Sequence, residues 1–226
     1  MKNKLKNIFQ YVSDLHLEKG FKRCIEAKTP NLILCGDIGY VFDDSYEDFL
    51  LNRTSPYFDR VFVLSGNHEY DDCDGEFSQV DERIENICSK RNNLVYLQKK
   101  SYVLSEKDNI NLIGCTFWSS RPKPKFELHK DHKLWISNML FENPNINYVI
   151  ATHHCPLFEC IGEKQRCDKR IRNYFASDQS KLVSSPNVIQ WIHGHSHINR
   201  DFLFKNKWIV SNQYGSFEKP CFGYKI

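Results

Sequence analysis

The chain has 226 residues, of which 41% are hydrophobic and 26% charged, with a formal net charge of +3. This composition is that of a globular domain and excludes a disordered chain, and the charge is too small to argue for a nucleic-acid binder on electrostatics alone. A chain of this length buries roughly 70% of its unfolded surface, so it can fold without disulfide staples.

The opening "MKNKLKNIFQYVSD" has a basic region but only a short, interrupted apolar stretch, which does not fit a secretory signal. Its apolar part, "IFQYV" (8–12), predicts a first strand, and a helix-like stretch follows at about 20–28. Strand "LILC" (32–35) is followed by a helix-like stretch at 45–52, and strand "VFVL" (61–64) by one at 77–90. The last of these carries Val80, Ile84, Ile87 and Cys88 at helical spacing. Then come strand "NLIGCTFW" (111–118), a helix at 125–141, strand "YVIAT" (148–152), a helix at 177–184 and strand "VIQWI" (188–192). "DFLFKNKWIVSN" reads as a hairpin turning at Lys205–Lys207. Early alternation of strands and helices predicts right-handed βαβ units, and the last third reads as more antiparallel. No linker divides the chain, so we expect a single domain over residues 1–226. No run approaches the roughly 18 apolar residues of a membrane span, so no membrane association is expected.

Five of these strands end in residues that bind metals. The first runs into Asp14 and His16, the second into Asp37, the third into Asn67 and His68, "YVIAT" into His153 and His154, and "VIQWI" into His193, His195 and His197. Seven of the nine histidines lie in these places. In α/β sheets ligands gather beyond strand ends, where loops converge. Glycines at 36, 66 and 194 fit turns that let backbone approach a bound group. Asp, His and Asn form an oxygen/nitrogen donor set without thiolate, suited to Mn²⁺, with Fe or Zn²⁺ as alternatives. There are more candidate ligands than one ion needs, so a carboxylate shared by two ions is expected.

The ordered set "DLH" (14–16), "GD" (36–37), "GNHE" (66–69), "THH" (152–154) and "GHSH" (194–197) resembles the calcineurin-like metallophosphoesterases. The resemblance implies an α/β fold in which two mixed β-sheets pack as a sandwich flanked by helices. It also implies Asp14, His16 and His197 as ligands of one metal, Asp37 as the bridge, and Asn67, His153 and His195 as ligands of the second. His68 is implied as the catalytic histidine that binds no metal, with Asn67 touching both metal and phosphate. The activity implied is two-metal hydrolysis of a small phosphomonoester or phosphodiester, a metal-bridging hydroxide attacking phosphorus. Alternatives within the same fold are a metal-dependent nuclease acting on nucleic acid and a non-catalytic scaffold.

"SDLHLE", "GCTFWS", "YFASD" and "VSNQYG" narrow the resemblance to a compact branch of predicted phosphoesterases. That branch shares Trp118–Ser119, Ala176–Asp178 and Asn212, but often has N-P-R-G-Y where this chain has "NQYG". The protein phosphatases of the superfamily follow G-D with V-D-R-G, whereas this chain has "GDIGYV", which argues against a dedicated protein phosphatase.

Weaker signals remain. The segment 160–172 holds Lys164, Arg166, Lys169, Arg170 and Arg172, and reads either as a solvated loop or as a basic wall that selects anionic substrates. His193 is expected in a supporting role. His129 and His132 are expected on an exposed polar helix face. Cys155, Cys160 and Cys167 match no common zinc spacing. Nine cysteines, an odd number, predict free thiols and a cytoplasmic, reducing setting.

Overall fold

The structure, a computed structural model, describes residues 5, 7–20, 24–71, 76–120 and 125–214. Two sheets build it. The first orders β1 (Phe9–Val12), β2 (Asn31–Cys35), β3 (Arg60–Leu64) and β4 (Leu94–Tyr96), all parallel. The second runs β5 (Lys100–Ser105), β6 (Ile110–Cys115), β7 (Asn147–Thr152), β8 (Val188–Ile192), β10 (Lys207–Val210), β9 (Asp201–Phe204). Its four central strands are parallel, and its two edge strands, β5 and β9, pair antiparallel. The last third is therefore less antiparallel than its pattern suggests: β8 reaches β10 in parallel, and only the β9–β10 hairpin reverses. That hairpin turns at Lys205 and Asn206, both with positive φ, the geometry that matches strand twist.

The strands read as continuous apolar runs because both faces of each sheet are covered. Phe9, Tyr11, Ile33, Cys35, Phe62 and Leu64 face Leu112, Val149, Ala151, Ile192 and Val210 of the second sheet, forming the inner core. Alternate residues Leu32, Leu34, Val61 and Val63 pack outward on Tyr46, Phe49, Leu50, Val80, Ile84 and Ile87. On the far side, Ile113, Cys115, Tyr148, Ile150 and Trp191 pack on Ile136 and Leu140.

The helices that cover the sheets are α1 (Asp44–Asp48), α2 (Phe77–Ser89), α3 (Lys125–Glu142), α4 (Glu163–Cys167), α5 (Arg172–Phe175) and α6 (Ser180–Val183). Asp43 caps α1 by accepting from Ser45 N at 2.8 Å, and α1 continues into a wider π-type turn over Phe49–Thr54. The helix expected at 20–28 does not form: residues 24–28 are irregular, and 21–23 lie outside the described residues. Gln10 competes for that backbone, donating to Glu26 O and accepting from Lys28 N, and so ties the segment to β1. The strands β4 and β5 escape the sequence pattern because one has three residues and the other is a half-exposed edge.

His129 and His132 are buried, not on an exposed helix face. His129 Nδ1 donates to Trp118 O, and His132 Nδ1 accepts from Phe117 N at 3.0 Å, so α3 satisfies the backbone just past β6. Burial lowers the His132 pKa to about 4. The unfolded chain then binds more protons than the folded one between that value and 6.5, so this contribution is complete above pH 6.5 and is lost as pH falls toward 4. From pH 7 to pH 5 it removes about 2 kcal/mol. Asn at this position keeps an acceptor near Nδ1 but cannot titrate. Urea unfolding of His132→Asn should therefore lose about 2 kcal/mol less than wild type over that interval, and equal losses would contradict this account.

Candidate metal centre

Parallel pairing sends the ends of β1, β2, β3, β7 and β8 toward one edge of the sandwich, which is why five distant motifs meet. The chain turns sharply there. Asp14 (φ 55°), His16 (50°), Asp37 (52°), His195 (70°) and His197 (52°) all occupy the left-handed region. Asp and His tolerate that region better than most residues, but it still costs of order 1–3 kcal/mol at each position. Such strain persists only where the surroundings fix the geometry. A Cβ on Gly66 would stand 2.2 Å from Asp37 Oδ1, and one on Gly194 2.8 Å from Asp14 Oδ2, so backbone itself walls the site.

Three groups of donor atoms result among the described residues, two of them sharing Asp37. Asp14, His16, Asp37 and His197 place ligand atoms within 4.8 Å of one another, as do Asp37, His153 and His195, and, in a third group without Asp37, His16, Glu18 and His68. His16 Nε2 and His197 Nε2 are 3.4 Å apart, and His197 Nε2 is 3.4 Å from Asp14 Oδ1. His153 Nε2 lies 3.3 Å from Asp37 Oδ1 and 3.2 Å from Asn67 Oδ1. Its Nδ1 donates to Cys35 O at 2.9 Å; burial acts to lower its pKa, but Asp37 overrides that and raises it to about 10, so Nε2 carries a proton toward Asp37 Oδ1. His195 approaches Tyr174 O through Nε2 at 3.2 Å, leaving Nδ1 for the site.

Asp14 and Asp37 are both buried. Burial raises the Asp14 pKa, the pull of His153 opposing it and the charge of Asp37 adding to it. Burial also acts to raise Asp37, but His153 overrides it and holds that carboxyl well below its ordinary value. Burial, with His153 adding to it, drops the pKa of His195 to about 3, which keeps this ring neutral. Buried carboxylates with several imidazoles converging on them form a donor set that fits divalent cations.

His68 lies outside the two groups that share Asp37 and in the third, with His16 and Glu18. Its backbone N donates to Asp37 Oδ1 at 2.9 Å, its Nδ1 lies 2.6 Å from Asp71 Oδ2, and its Nε2 lies 3.9 Å from Asp37 Oδ2. It lines a cavity of about 280 Å³ with Asp37, Gln165, Phe175, His195, Ser196 and His197.

The remaining sequence signals sort by contact. His154 is buried with its ring tilted against that of His195, the centroids 4.1 Å apart. His193 is buried beside Cys155, Nδ1 to Sγ 3.4 Å. Cys155 and Cys160 are buried and Cys167 exposed, so the three do not assemble into a site; Cys73 and Cys221 lie outside the described residues. From the basic segment, Gln165 reaches the cavity, while Arg170 pairs with Asp168 at 2.9 Å. Asn212 donates to Tyr11 O at 3.0 Å, a tie across the sheets, and the neighbouring Gln213 accepts from His197 N at 2.6 Å.

A model of the calcineurin-like phosphoesterases matches residues 10–199. The chain belongs to that family. It is 29% identical to an uncharacterized protein of Acanthamoeba polyphaga mimivirus, over 92% of this chain and 91% of that one. Its fold is similar to that of the phosphopantetheinyl hydrolase of Mycobacterium tuberculosis, with a TM-score of 0.71 at 13% identity, covering 92% of this chain and 89% of that one. It is also similar to a dimetal phosphatase from Danio rerio, with a TM-score of 0.55 at 13% identity, over 94% and 88%. Family and donor groups together support metal-dependent phosphoester hydrolysis in general. Among the described residues no helix is long and apolar enough to cross a membrane.

The residue that sequence reasoning passed over is Glu69, the last letter of "GNHE". Its Oε2 accepts from Asp37 N at 3.0 Å and Gly66 N at 2.7 Å, and its Oε1 from Ile38 N at 2.7 Å. One buried carboxylate thereby clamps the turn carrying Asp37 to the turn carrying Asn67 and His68. Its signal in the sequence is that a charged residue closes the motif. Glu69→Gln replaces one acceptor oxygen by an amide donor that faces backbone N–H groups. Chemical denaturation should show a loss of roughly 2–4 kcal/mol, the range for one or two buried groups left unsatisfied. A change under about 0.5 kcal/mol, the scale of an ordinary surface substitution, would show that the clamp is dispensable.

Proposed function

We propose that the chain, acting as one domain over residues 1–226, is a hydrolase of small phosphomonoesters or phosphodiesters that works with two divalent cations. The observation that carries this reading is that two of the donor groups share Asp37. In this reading Asp14, His16 and His197 hold one ion, Asn67, His153 and His195 the other, and Asp37 both. The mixed oxygen and nitrogen donors favour Mn²⁺, with Fe or Zn²⁺ as alternatives. When bound, two such cations supply positive charge for the phosphoryl oxygens and furnish a water-derived nucleophile at neutral pH.

The protein's own groups do the rest. Asn67 turns its carbonyl toward the ligand His153, and its amide can donate to a phosphoryl oxygen. His68 opens on the cavity with Asp71 against Nδ1, and its imidazolium form, protonated on both nitrogens, can give the Nε2 proton to the departing oxygen. Gln165 and Phe175 line the cavity beside the ligand cluster, Phe175 against the His195 ring, and limit what fits. The seven described cysteines are all free, in keeping with a cytoplasmic protein.

Two measurements test the reading. Protein equilibrated with Mn²⁺ should bind two ions per chain and hydrolyse p-nitrophenyl phosphate or its diester. Asp37→Asn, which removes the charge needed to serve two cations, should lose at least one ion and nearly all activity; full metal content in that variant would remove Asp37 as the shared ligand. His68→Ala should keep both ions. Its rate should fall little with nitrophenolate leaving groups but by roughly 10²–10⁴-fold with alkoxides, the usual range for general acid catalysis. Parallel dependence of rate on leaving-group basicity in the two proteins would rule out proton donation by His68.

A further inference from the structure

The second residue past the first motif, Glu18, is held in a place its sequence position does not suggest. His16 sits in the left-handed region and starts a single 3₁₀ turn over Leu17–Lys19. Both ends of that turn are pinned. His16 N and Leu17 N donate to Asp37 O and Ile38 O, at 3.1 and 2.9 Å, and Lys19 N closes the turn on His16 O at 2.8 Å. Leu17 is buried in the outer core and anchors the turn. The turn folds the Glu18 side chain back onto His16, and Oε1 comes to 2.7 Å from Nδ1. The two side chains are 13% and 3% exposed.

The imidazole therefore has two distinct sides. Nδ1 meets a carboxylate, which can only accept, so the proton belongs on Nδ1. Nε2 is then a lone pair, and it points at His197 Nε2, 3.4 Å away, within the donor group that contains Asp14 and Asp37. The other Glu18 oxygen, Oε2, is buried and has no hydrogen-bond partner among the described residues. A buried carboxylate with one oxygen unsatisfied is costly, and such an exception calls for an explanation. A cation on the far side of the ring provides one, since its charge acts on the carboxylate through the imidazole.

Building on the two-metal reading above, we infer that Glu18 is the positioning residue of the first metal site. It fixes the tautomer and the ring plane of His16 by accepting its Nδ1–H, and so aims the Nε2 lone pair at the ion. Carboxylates that orient a metal-bound histidine in this way are worth roughly 10–100-fold in metal affinity. Glu18 itself does not touch the substrate cavity, whose lining comes from Asp37, His68 and the residues beyond. The effect belongs to one ion and not to its neighbour: the imidazole of His153 is fixed separately, by Cys35 O.

The test uses wild-type protein, Glu18→Ala and Glu18→Gln, with Zn²⁺ alone as the probe. Stepwise affinities come from chelator competition, and the imidazole nitrogens are followed by ¹⁵N NMR. Wild type should bind two ions and carry the His16 proton on Nδ1. In Glu18→Ala one affinity should fall roughly 10–100-fold while the other holds. Glu18→Gln, whose amide oxygen still accepts from Nδ1–H, should recover most of the loss. Wild-type affinity at both sites in Glu18→Ala would overturn the inference. So would a wild-type His16 protonated on Nε2, a result that stands even where the alanine variant does not fold. Wild type that binds neither ion would instead sink the two-metal reading, and this inference with it.

Discussion

Two carboxylates, Asp14 and Asp37, are buried at one edge of a β-sandwich, and the rest of the structure is arranged around that cost. A buried anion is tolerated only when paired or hydrogen-bonded. Asp14 receives Ser13 Oγ and the backbone N of His195; Asp37 receives His68 N and the imidazole of His153. These donors come from the ends of strands far apart in sequence. Satisfying the carboxylates therefore joins β1, β3, β7 and β8, and a polar site does the stapling that apolar packing does elsewhere.

That joining needs unusual backbone. A strand that ended in an ordinary turn would carry its side chains past the edge, away from the neighbouring motifs. Left-handed φ at Asp14, His16, Asp37, His195 and His197 folds them inward, and glycine at 66 and 194 removes the Cβ atoms that would block the approach. Glu69 holds two of these turns in register from behind. The strain is local, and the compensation is spread over three backbone donors.

Much of this was legible in the sequence. The inner strands read cleanly because both faces of each are buried, and the candidate ligands read cleanly because each follows such a strand. What failed to read was set by contacts distant in sequence. Residues 24–28 have helical composition, yet Gln10 takes their backbone groups. His129 and His132 have charged neighbours on a helix, yet backbone atoms at Phe117 and Trp118 need partners and draw both rings inward. Strand β5 alternates too weakly because its outer face meets solvent. In the first two cases local pattern was overridden by a polar group elsewhere that needed a partner, which a single sequence does not display.

The segment after β7 shows the same logic on the substrate side. Its basic residues suggest selection of anions by direct contact, but the side chains it sends to the cavity are Gln165 and Phe175, which are neutral. Arg170 is engaged with Asp168, and Arg172 lies over the Phe158 ring at 4.5 Å. The segment is fixed to the metal centre by backbone: Tyr174 O meets His195 Nε2, and Phe175 packs on the same ring at 5.5 Å. Any movement of this wall must therefore turn His195, a candidate ligand. Shape at the cavity and geometry at the ion are thus coupled through one imidazole, whereas the positive charge acts from outside, where salt screens it. Under the proposed function, discrimination by the wall would rest on fit against Gln165 and Phe175, and the lysines and arginines would act only by long-range attraction of anions.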